Sequence, residues 1–517
     1  MLALLSMVAR ADAGGLKLEW SFTFNGDGNA ADRAEAVALG SSGHVLVAGY
    51  ETRTDLAEKE NWRVIELDAK GSLVWSVSWN GSRNDTDIAY GVAVVPSVGI
   101  LVAGISTTYY GGQDWLVRKY GTDGSLITST TYDADNGDDI AWGIAAVPGG
   151  DFVVAGCETT KAEAKNWSVR RYCSCGGLKW SLTVNGDADG NDEANAVAAD
   201  TSGGVVAAGY IDNGATKLDM VIMKFNVNGT TAWTQTVETA DDEAATGVAL
   251  DASGNVWMAG WQNVGGDNYG WRIHKYDSSG STLWSASYDN PSADGTTCPL
   301  APPPPPYPDD RPAGIAVDAR GNVIVVGWEQ VAPQPACAPP WVRNWLIRIY
   351  GPSGTLIAST TYMDPSNLDG RATSVAADAC GNIYVAGWQT WPSGAGGENW
   401  MVRKYSRPGW GCGGGGGGGE ETVAGPALDR NVFRPSRGET LKVRIRPASA
   451  EPPVAVVYTA SGRMVRQLYD FRQDGNGGKS ATWDGRNEDG VRVVRGVYLV
   501  RLSGGGNPSA ILKVVVK

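Results

Sequence analysis

Histidine is nearly missing from this chain: His44 and His274 are the two present in 517 residues. A multi-His zinc centre or a His-based catalytic triad therefore has little support. Phenylalanine is scarce too, at 6 residues, and no amphipathic run of helical period occurs. No apolar run is long enough to span a bilayer as a helix. What the chain does hold is 70 Gly and 21 Trp. Short β-branched and aromatic segments alternate with Gly, Asn and Asp turns, the pattern of an all-β protein.

The chain starts "MLALLSMVARADAGG". A short apolar run and the small-x-small triplet Ala11-Asp12-Ala13 read as a shortened secretory signal over residues 1–13. The formal net charge is −13. From Pro426 onward there are 16 Lys+Arg against 8 Asp+Glu, leaving 27 against 48 in the rest. An acidic body argues against nucleic acid as a partner. The basic tail suits an anionic surface or the acidic body itself.

A repeat organises the larger part of the chain. A glycine closes an apolar strand seven times, at Gly49, Gly104, Gly156, Gly209, Gly260, Gly327 and Gly387. The spacings are 55, 52, 53, 51, 67 and 60 residues, and the long ones coincide with Pro-rich insertions. Each unit reads as four strands joined by Gly-containing turns. Four antiparallel strands repeated without helices predict a β-propeller. The third strand occurs seven times, ending with "NWMVRKYS", but a fourth strand follows only six of these. The unpaired "LEWSFTF" segment near the N-terminus supplies the seventh. It is predicted to pair with the last unit and close the ring, removing an exposed edge.

The phrase "DEAATGVALDASGNVWMAGW" and its equivalents, each followed by a Trp-bearing strand, resemble seven-bladed propeller repeats of the SBBP type and the related delta-60 repeats. The resemblance covers about residues 16–406. It implies a scaffold architecture and no particular activity. After a glycine linker, residues 426–517 alternate apolar and polar positions over a length suited to a small β-sandwich. The phrases "YTASGRMVRQL", "WDG" and "GVY" resemble the Ig-like domain of the FlgD type, a module close to C-terminal sorting domains. That resemblance implies attachment or secretion. The expected domains are thus 1–13, 14–407, 408–425 and 426–517.

Several constellations carry potential chemistry. An Asp precedes each first strand: Asp32, Asp87, Asp139, Asp192, Asp242, Asp310 and Asp369. These seven would ring one channel mouth, either as a cation site or funnel or as acceptors that shape their loops. The loop reading is favoured. "DADNGDD" and "NGDADGNDE" alternate oxygen ligands, which makes Asp133, Asp135, Asp138, Asp139, Asp187, Asp189 and Asp192 calcium candidates. Calcium is the one cofactor the sequence leaves room for, and no other is expected.

Most tryptophans recur at fixed repeat positions and read as packing between blades. Trp142, Trp261, Trp328, Trp388 and Trp391 lie near strand ends or loops, where aromatics stack on sugars or peptides. The "DAKGSLVW" phrase is similar to one found in quinone-cofactor propellers, but reads better as a turn plus a packing Trp. Of the seven cysteines, the strand order brings Cys298 near Cys337 and Cys380 near Cys412, so these are the expected disulfides. Cys157, Cys173 and Cys175 stay unassigned.

The sequence is read as a secreted or cell-surface seven-bladed propeller with a C-terminal Ig-like module. It is expected to bind a surface glycan, peptide or protein without enzymatic activity, to lack a transmembrane segment and to attach to the cell envelope through its tail. The alternative is a propeller enzyme, quinone-dependent or carbohydrate-active.

Overall fold

The computed structural model describes residues 15–407 except 41–42, 96–97, 109–111, 136, 161–163, 187–189, 215–216, 266–267, 291–308, 332–341, 365–367 and 392–396. It also describes 427–516 apart from 429–431, 438, 446–453, 460–462, 469–470, 474–478 and 504–509. The chain divides into two units, Met1–Cys412 and Gly413–Lys517.

The first unit is all-β and built of repeated four-stranded antiparallel sheets, like propeller blades. The first strand of the chain, β1, is Lys17–Phe24. Sheet 1 then comprises β2 (Arg33–Leu39), β3 (Val45–Thr52), β4 (Glu60–Leu67) and β5 (Leu73–Trp79). Sheet 2 is β6–β9 (residues 87–132) and sheet 3 is β10–β13 (residues 140–184). Sheet 4 is β14–β17 (residues 193–237), sheet 5 is β18–β21 (residues 243–288) and sheet 6 is β22–β25 (residues 311–362). Sheet 7 joins β26 (Gly370–Ala377), β27 (Ile383–Thr390) and β28 (Glu398–Ser406) to β1. The register runs antiparallel from Lys17 opposite Ser406 to Phe24 opposite Trp400.

Burial explains the sequence pattern. Second strands such as "VLVAGYET" are buried almost throughout, because sheets pack on both their faces. Fourth strands such as "TAWTQTV" alternate exposed and half-buried positions, as outermost strands should. Seven hydrophobic clusters each join adjacent sheets, and one of them unites Val45, Val47 and Ile65 of sheet 1 with Tyr384, Trp400 and Val402 of sheet 7. The first strands neighbour one another in a closed cycle, β2 to β6, β10, β14, β18, β22, β26 and back to β2.

The recurring tryptophans hold neighbouring sheets together. Third-strand indoles donate to the next sheet's second strand: Trp115 Nε1 to the Cys157 carbonyl at 2.7 Å, Trp345 to Trp388 at 3.1 Å and Trp400 to Tyr50 at 2.8 Å. Fourth-strand indoles reach the next sheet's last turn. Trp180 Nε1 donates to the Val227 carbonyl at 3.1 Å and its ring lies on Gly229, where φ is +86°. Trp20 of β1 does the same at Ala69, at 3.2 Å. The turn-plus-Trp phrase is thus a docking device between sheets.

The second unit contains a four-stranded and a five-stranded sheet. One core, including Phe433, Leu441, Val457, Trp483, Tyr498 and Val514, draws on both. Trp483 Nε1 donates to the Arg486 carbonyl at 2.9 Å, and the Tyr498 hydroxyl donates to the Val494 carbonyl at 2.8 Å. Among the described residues, no helix is long and apolar enough to cross a membrane.

Candidate functional site

The repeated Asp residues are fasteners. Asp310 accepts the Asn290 N–H at 2.7 Å and the Gln330 N–H at 2.6 Å. Asp139 accepts from Ala134 at 2.6 Å and Thr159 at 2.8 Å. Asp192 accepts from Gly186 at 2.6 Å and Asp212 at 2.7 Å, and Asp32 from Gly26 at 2.5 Å and Thr52 at 2.9 Å. Asp87 accepts from Gly81 at 2.5 Å. The first four tie the loop before a first strand to the end of the second strand, whereas Asp87 bonds to the loop amide of Gly81. All five are buried. Burial pushes Asp310 up to about 7 and Asp32 and Asp139 up to about 6, despite the amide bonds that favour the charged form.

The expected ring of seven is out of register at two places. Aligning the strands by their pairing puts Glu243 and Gly370 at the fastener position, not Asp242 and Asp369. Asp242 and Asp369 instead accept the Leu218 N–H at 3.1 Å and the Arg343 N–H at 2.6 Å.

Three residues after the fastener, every first strand departs from regular pairing with its second strand. The residue at the bulge is Glu35, Tyr90, Trp142, Asn195, Thr246, Ala313 or Thr373, in sheet order. The glycine that marks the repeat stands behind this bulge. A Cβ on Gly49 or Gly387 would run into the carbonyl oxygen of Arg33 or Arg371. The glycine lets the first strand crowd against the second and buckle toward the axis.

In three sheets the bulge residue bonds to the next first strand. Asn195 donates to the Ala245 carbonyl at 2.9 Å, Thr246 to Pro312 at 2.9 Å and Thr373 to Ala34 at 2.7 Å. In sheets 1, 2 and 3 larger groups stand there: Glu35, Tyr90 and Trp142. The Tyr90 and Trp142 rings lie 4.5 Å apart, and both are partly exposed. Glu35 is half-buried, with protein packed around its carboxyl. Burial pushes its carboxyl up to about 7, with Arg33 opposing and Glu398 adding to the shift.

Two residues before the bulge, sheets 6, 7 and 1 place Arg311, Arg371 and Arg33. Each guanidinium lies over a tryptophan from the end of a second strand. Arg33 is 4.8 Å from Trp388, Arg371 is 4.7 Å from Trp328 and Arg311 is 4.8 Å from Trp261. Arg33 also pairs with Glu398, Nη2 to Oε1 at 2.9 Å. Arg311 and Arg343 share Asp309 at 2.6 and 2.9 Å, and Arg343 reaches Asp369 at 3.4 Å. Arg371 is different. Among the described residues no carboxylate or carbonyl bonds to it, and its Nε is buried without a partner. Burial holds it below the ordinary arginine value, with Arg343 and Arg33 adding repulsion and Asp369 and Asp309 opposing the shift. The buried indole N–H groups of Trp142 and Trp328 lack partners as well.

Four of the five tryptophans set apart in the sequence, Trp142, Trp261, Trp328 and Trp388, therefore belong to this channel mouth. Trp391 is more exposed, at 39 %. Glu35, Tyr90 and Arg371 were not singled out from the sequence. For Glu35 and Tyr90 the available signal was their repeat position, occupied in other units by Asn195, Thr246, Ala313 and Thr373; Arg371 shares its repeat position with Arg33 and Arg311.

Of the calcium candidates, Asp187 and Asp189 lie outside the described residues. Asp138 accepts the Gln113 N–H at 3.0 Å. Among the described residues, no three His, Cys, Asp or Glu side chains converge as a metal site. Asp133, Asp135, Asp138, Asp139 and Asp192 are therefore not drawn together as ligands. Cys298, Cys337 and Cys412 are outside the described residues, as are the leader and the linker. Cys380 is disulfide-bonded. Cys173 and Cys175 bond to each other, and Cys157 is a free thiol buried in the core. His274 is half-buried, and desolvation pushes it down to about 4, while His44 Nδ1 lies 2.8 Å from Glu66.

No family model matches the chain, and no curated protein matches it. Solved structures of similar fold include a PL25 polysaccharide lyase, an ulvan lyase, at 12 % identity and TM-score 0.41, with 72 % of this chain and 94 % of that chain covered. An ancestral GH74 enzyme gives 12 % and 0.42, with 74 % and 49 % covered. A GH93 α-L-arabinofuranosidase of Fusarium graminearum gives 13 % and 0.40, with 62 % and 94 % covered. The expectation of a protein without enzymatic activity is corrected by these neighbours, which are carbohydrate-active enzymes. At these identities the likeness concerns fold, and the activities named are those of the other proteins.

Proposed function

We propose that the chain is an exported seven-bladed propeller that binds its ligand at the channel mouth where the fourth-to-first and second-to-third loops emerge. The observation carrying this reading is the mouth itself. It combines an unpaired guanidinium, partly exposed aromatic rings and two indole donors without partners. Partnerless indole and guanidinium nitrogens also occur elsewhere in the larger unit, at Trp62, Trp167, Trp257, Arg63, Arg118, Arg170 and Arg403; those of the mouth stand beside partly exposed rings, where a ligand has access. The closed cycle of first strands and the pairing of β1 with β28 support the seven-bladed reading and the SBBP-type resemblance. Disulfide-bonded Cys173, Cys175 and Cys380 support an oxidising, extracytoplasmic location. The shared core of the two C-terminal sheets supports an Ig-like, FlgD-type module for attachment or secretion.

A second reading is a carbohydrate-active enzyme, favoured by one observation. Two carboxyls of this mouth have unlike environments: Glu35 is raised to about 7, whereas Glu398 is paired with Arg33. Carboxyls in unlike environments suit acid and base roles. One experiment tests both readings. The full chain and a Tyr90→Ala/Trp142→Ala variant are applied to glycan and peptide arrays, and bound glycans are analysed for cleavage with and without Glu35→Gln. Binding lost in the double variant supports the mouth, and binding that survives overturns it. Cleavage that stops in Glu35→Gln supports the enzyme, and no cleavage overturns that second reading. Cell fractionation with an antibody to the chain tests export, and a cytoplasmic pool alone would overturn it.

A further inference from the structure

The channel mouth is unequal around its circumference. Sheets 6, 7 and 1 contribute guanidinium groups, each laid on a tryptophan. Sheets 2 and 3 contribute an apolar and aromatic wall of Ile88, Tyr90, Ile140 and Trp142. Between them, sheet 1 adds the Glu35 carboxyl, and Glu398 lies on the Arg33 side. Electrostatic coupling runs across the mouth: Glu35 and Arg33 both act on Tyr90, and Arg371 acts on Glu35.

The arginines are not equivalent. Arg33, Arg311 and Arg343 are neutralised by Glu398, Asp309 and Asp369. Arg371 has the Trp328 and Trp388 rings against it and, among the described residues, no carboxylate bonded to it; Asp369 and Asp309 act on it only through space while serving Arg343 and Arg311. A largely desolvated guanidinium without a hydrogen-bonded carboxylate is costly, and a ligand carboxylate would offset that cost through a bidentate pair. The nearby Glu35 and Glu398 disfavour a compact, multiply charged anion such as phosphate. They suit a ligand that carries a single negative charge together with hydroxyl donors. The Tyr90–Trp142 wall suits the C–H face of a saturated ring.

We propose that the mouth binds a carboxylated sugar residue of the uronate type, its carboxylate on Arg371, its ring against Tyr90 and Trp142, and its hydroxyls on Glu35 and Glu398. This rests on the channel mouth being the binding site. The carboxylate accepts from Arg371, while sugar hydroxyls donate to the Glu35 and Glu398 carboxylates. A neutral sugar of the same shape leaves the guanidinium unpaired and binds more weakly.

The test is titration of the full chain, followed by tryptophan fluorescence and calorimetry. The probes are short oligomers of glucuronate and galacturonate, their neutral glucose and galactose counterparts, and inorganic phosphate. Uronate oligomers are expected to bind saturably, with the neutral oligomers about tenfold or more weaker. Arg371→Gln is expected to remove that preference, bringing the uronate oligomers down to the affinity of their neutral counterparts. Arg371→Lys keeps the charge but loses the fork, so it should restore part of the preference. Melting curves of each variant establish folding.

Equal affinity for neutral and acidic oligomers would overturn the proposal, as would phosphate binding as tightly as uronate, or Arg371→Gln without effect. Array ligands that are neutral glycans or peptides, and that need Tyr90 and Trp142, would overturn the acidic-sugar assignment and leave the mouth as the site. Loss of no ligand at all in the double variant would overturn both.

Discussion

Gly387 faces the carbonyl oxygen of Arg371, and a methyl group there would also meet the Trp345 ring. One hydrogen atom in place of a side chain thus lets the first strand buckle and carry its functional residue inward. Gly387→Ala is expected to destabilise the larger unit by ~1–3 kcal/mol, as overpacked sites do. The variant should also weaken any ligand held by Arg371. Chemical denaturation and the uronate titration check both parts, and an unchanged midpoint would refute the clash. The sequence makes this glycine conspicuous because it recurs in every unit. It does not reveal why: the obstructing atom is a backbone oxygen on a different strand. Glu35 and Tyr90 were harder to read for a related reason. Strand alternation assigns faces by counting in twos, and a bulge breaks that count at the very residue of interest.

At the level of elements, the strand inventory was readable from the chain. Seven third strands and six following fourth strands demanded another partner, and β1 pairs with β28 along its length. Registers near loops were less readable. Sheet 5 has the acidic run Asp241-Asp242-Glu243, and composition alone does not say which member occupies the fastener position. Pairing settles it, with Glu243 opposite Gln262. Deleting residues 15–24 should leave β28 as an unpaired edge and strip the Trp20 ring from Gly71. The truncated protein is expected to melt earlier and to self-associate, by calorimetry and size-exclusion chromatography. A synthetic peptide of the deleted segment should restore the monomer, whereas a truncated chain that melts normally would refute closure by β1.

The larger unit as a whole gathers carboxyls whose affinity for protons rises on folding. Asp32, Asp139 and Asp114 are raised to about 6, and Glu35, Glu243 and Asp310 to about 7, chiefly by burial. Between the ordinary carboxylate range and those values, the native state binds more protons than the unfolded one. Stability from these groups is then full at low pH and is lost as pH rises through about 6 to 7. The melting temperature is expected to climb by a few degrees between pH 8 and pH 5. Below that, carboxyls held low by ion pairs, such as Asp151 and Asp309, reverse the trend as they protonate. A melting temperature that falls steadily from pH 8 downward would contradict this. The joining of β1 to β28 has a further consequence in time. Lys17 is synthesised well before its partner Ser406, which lies almost four hundred residues later in the chain. Throughout synthesis the opening strand must wait, unpaired and exposed to other strand edges. Completing the ring is therefore a late event whose rate depends on bringing distant chain segments together. Until that happens the larger unit stays open to unfolding, and it becomes hard to unravel only once β28 has arrived to meet β1.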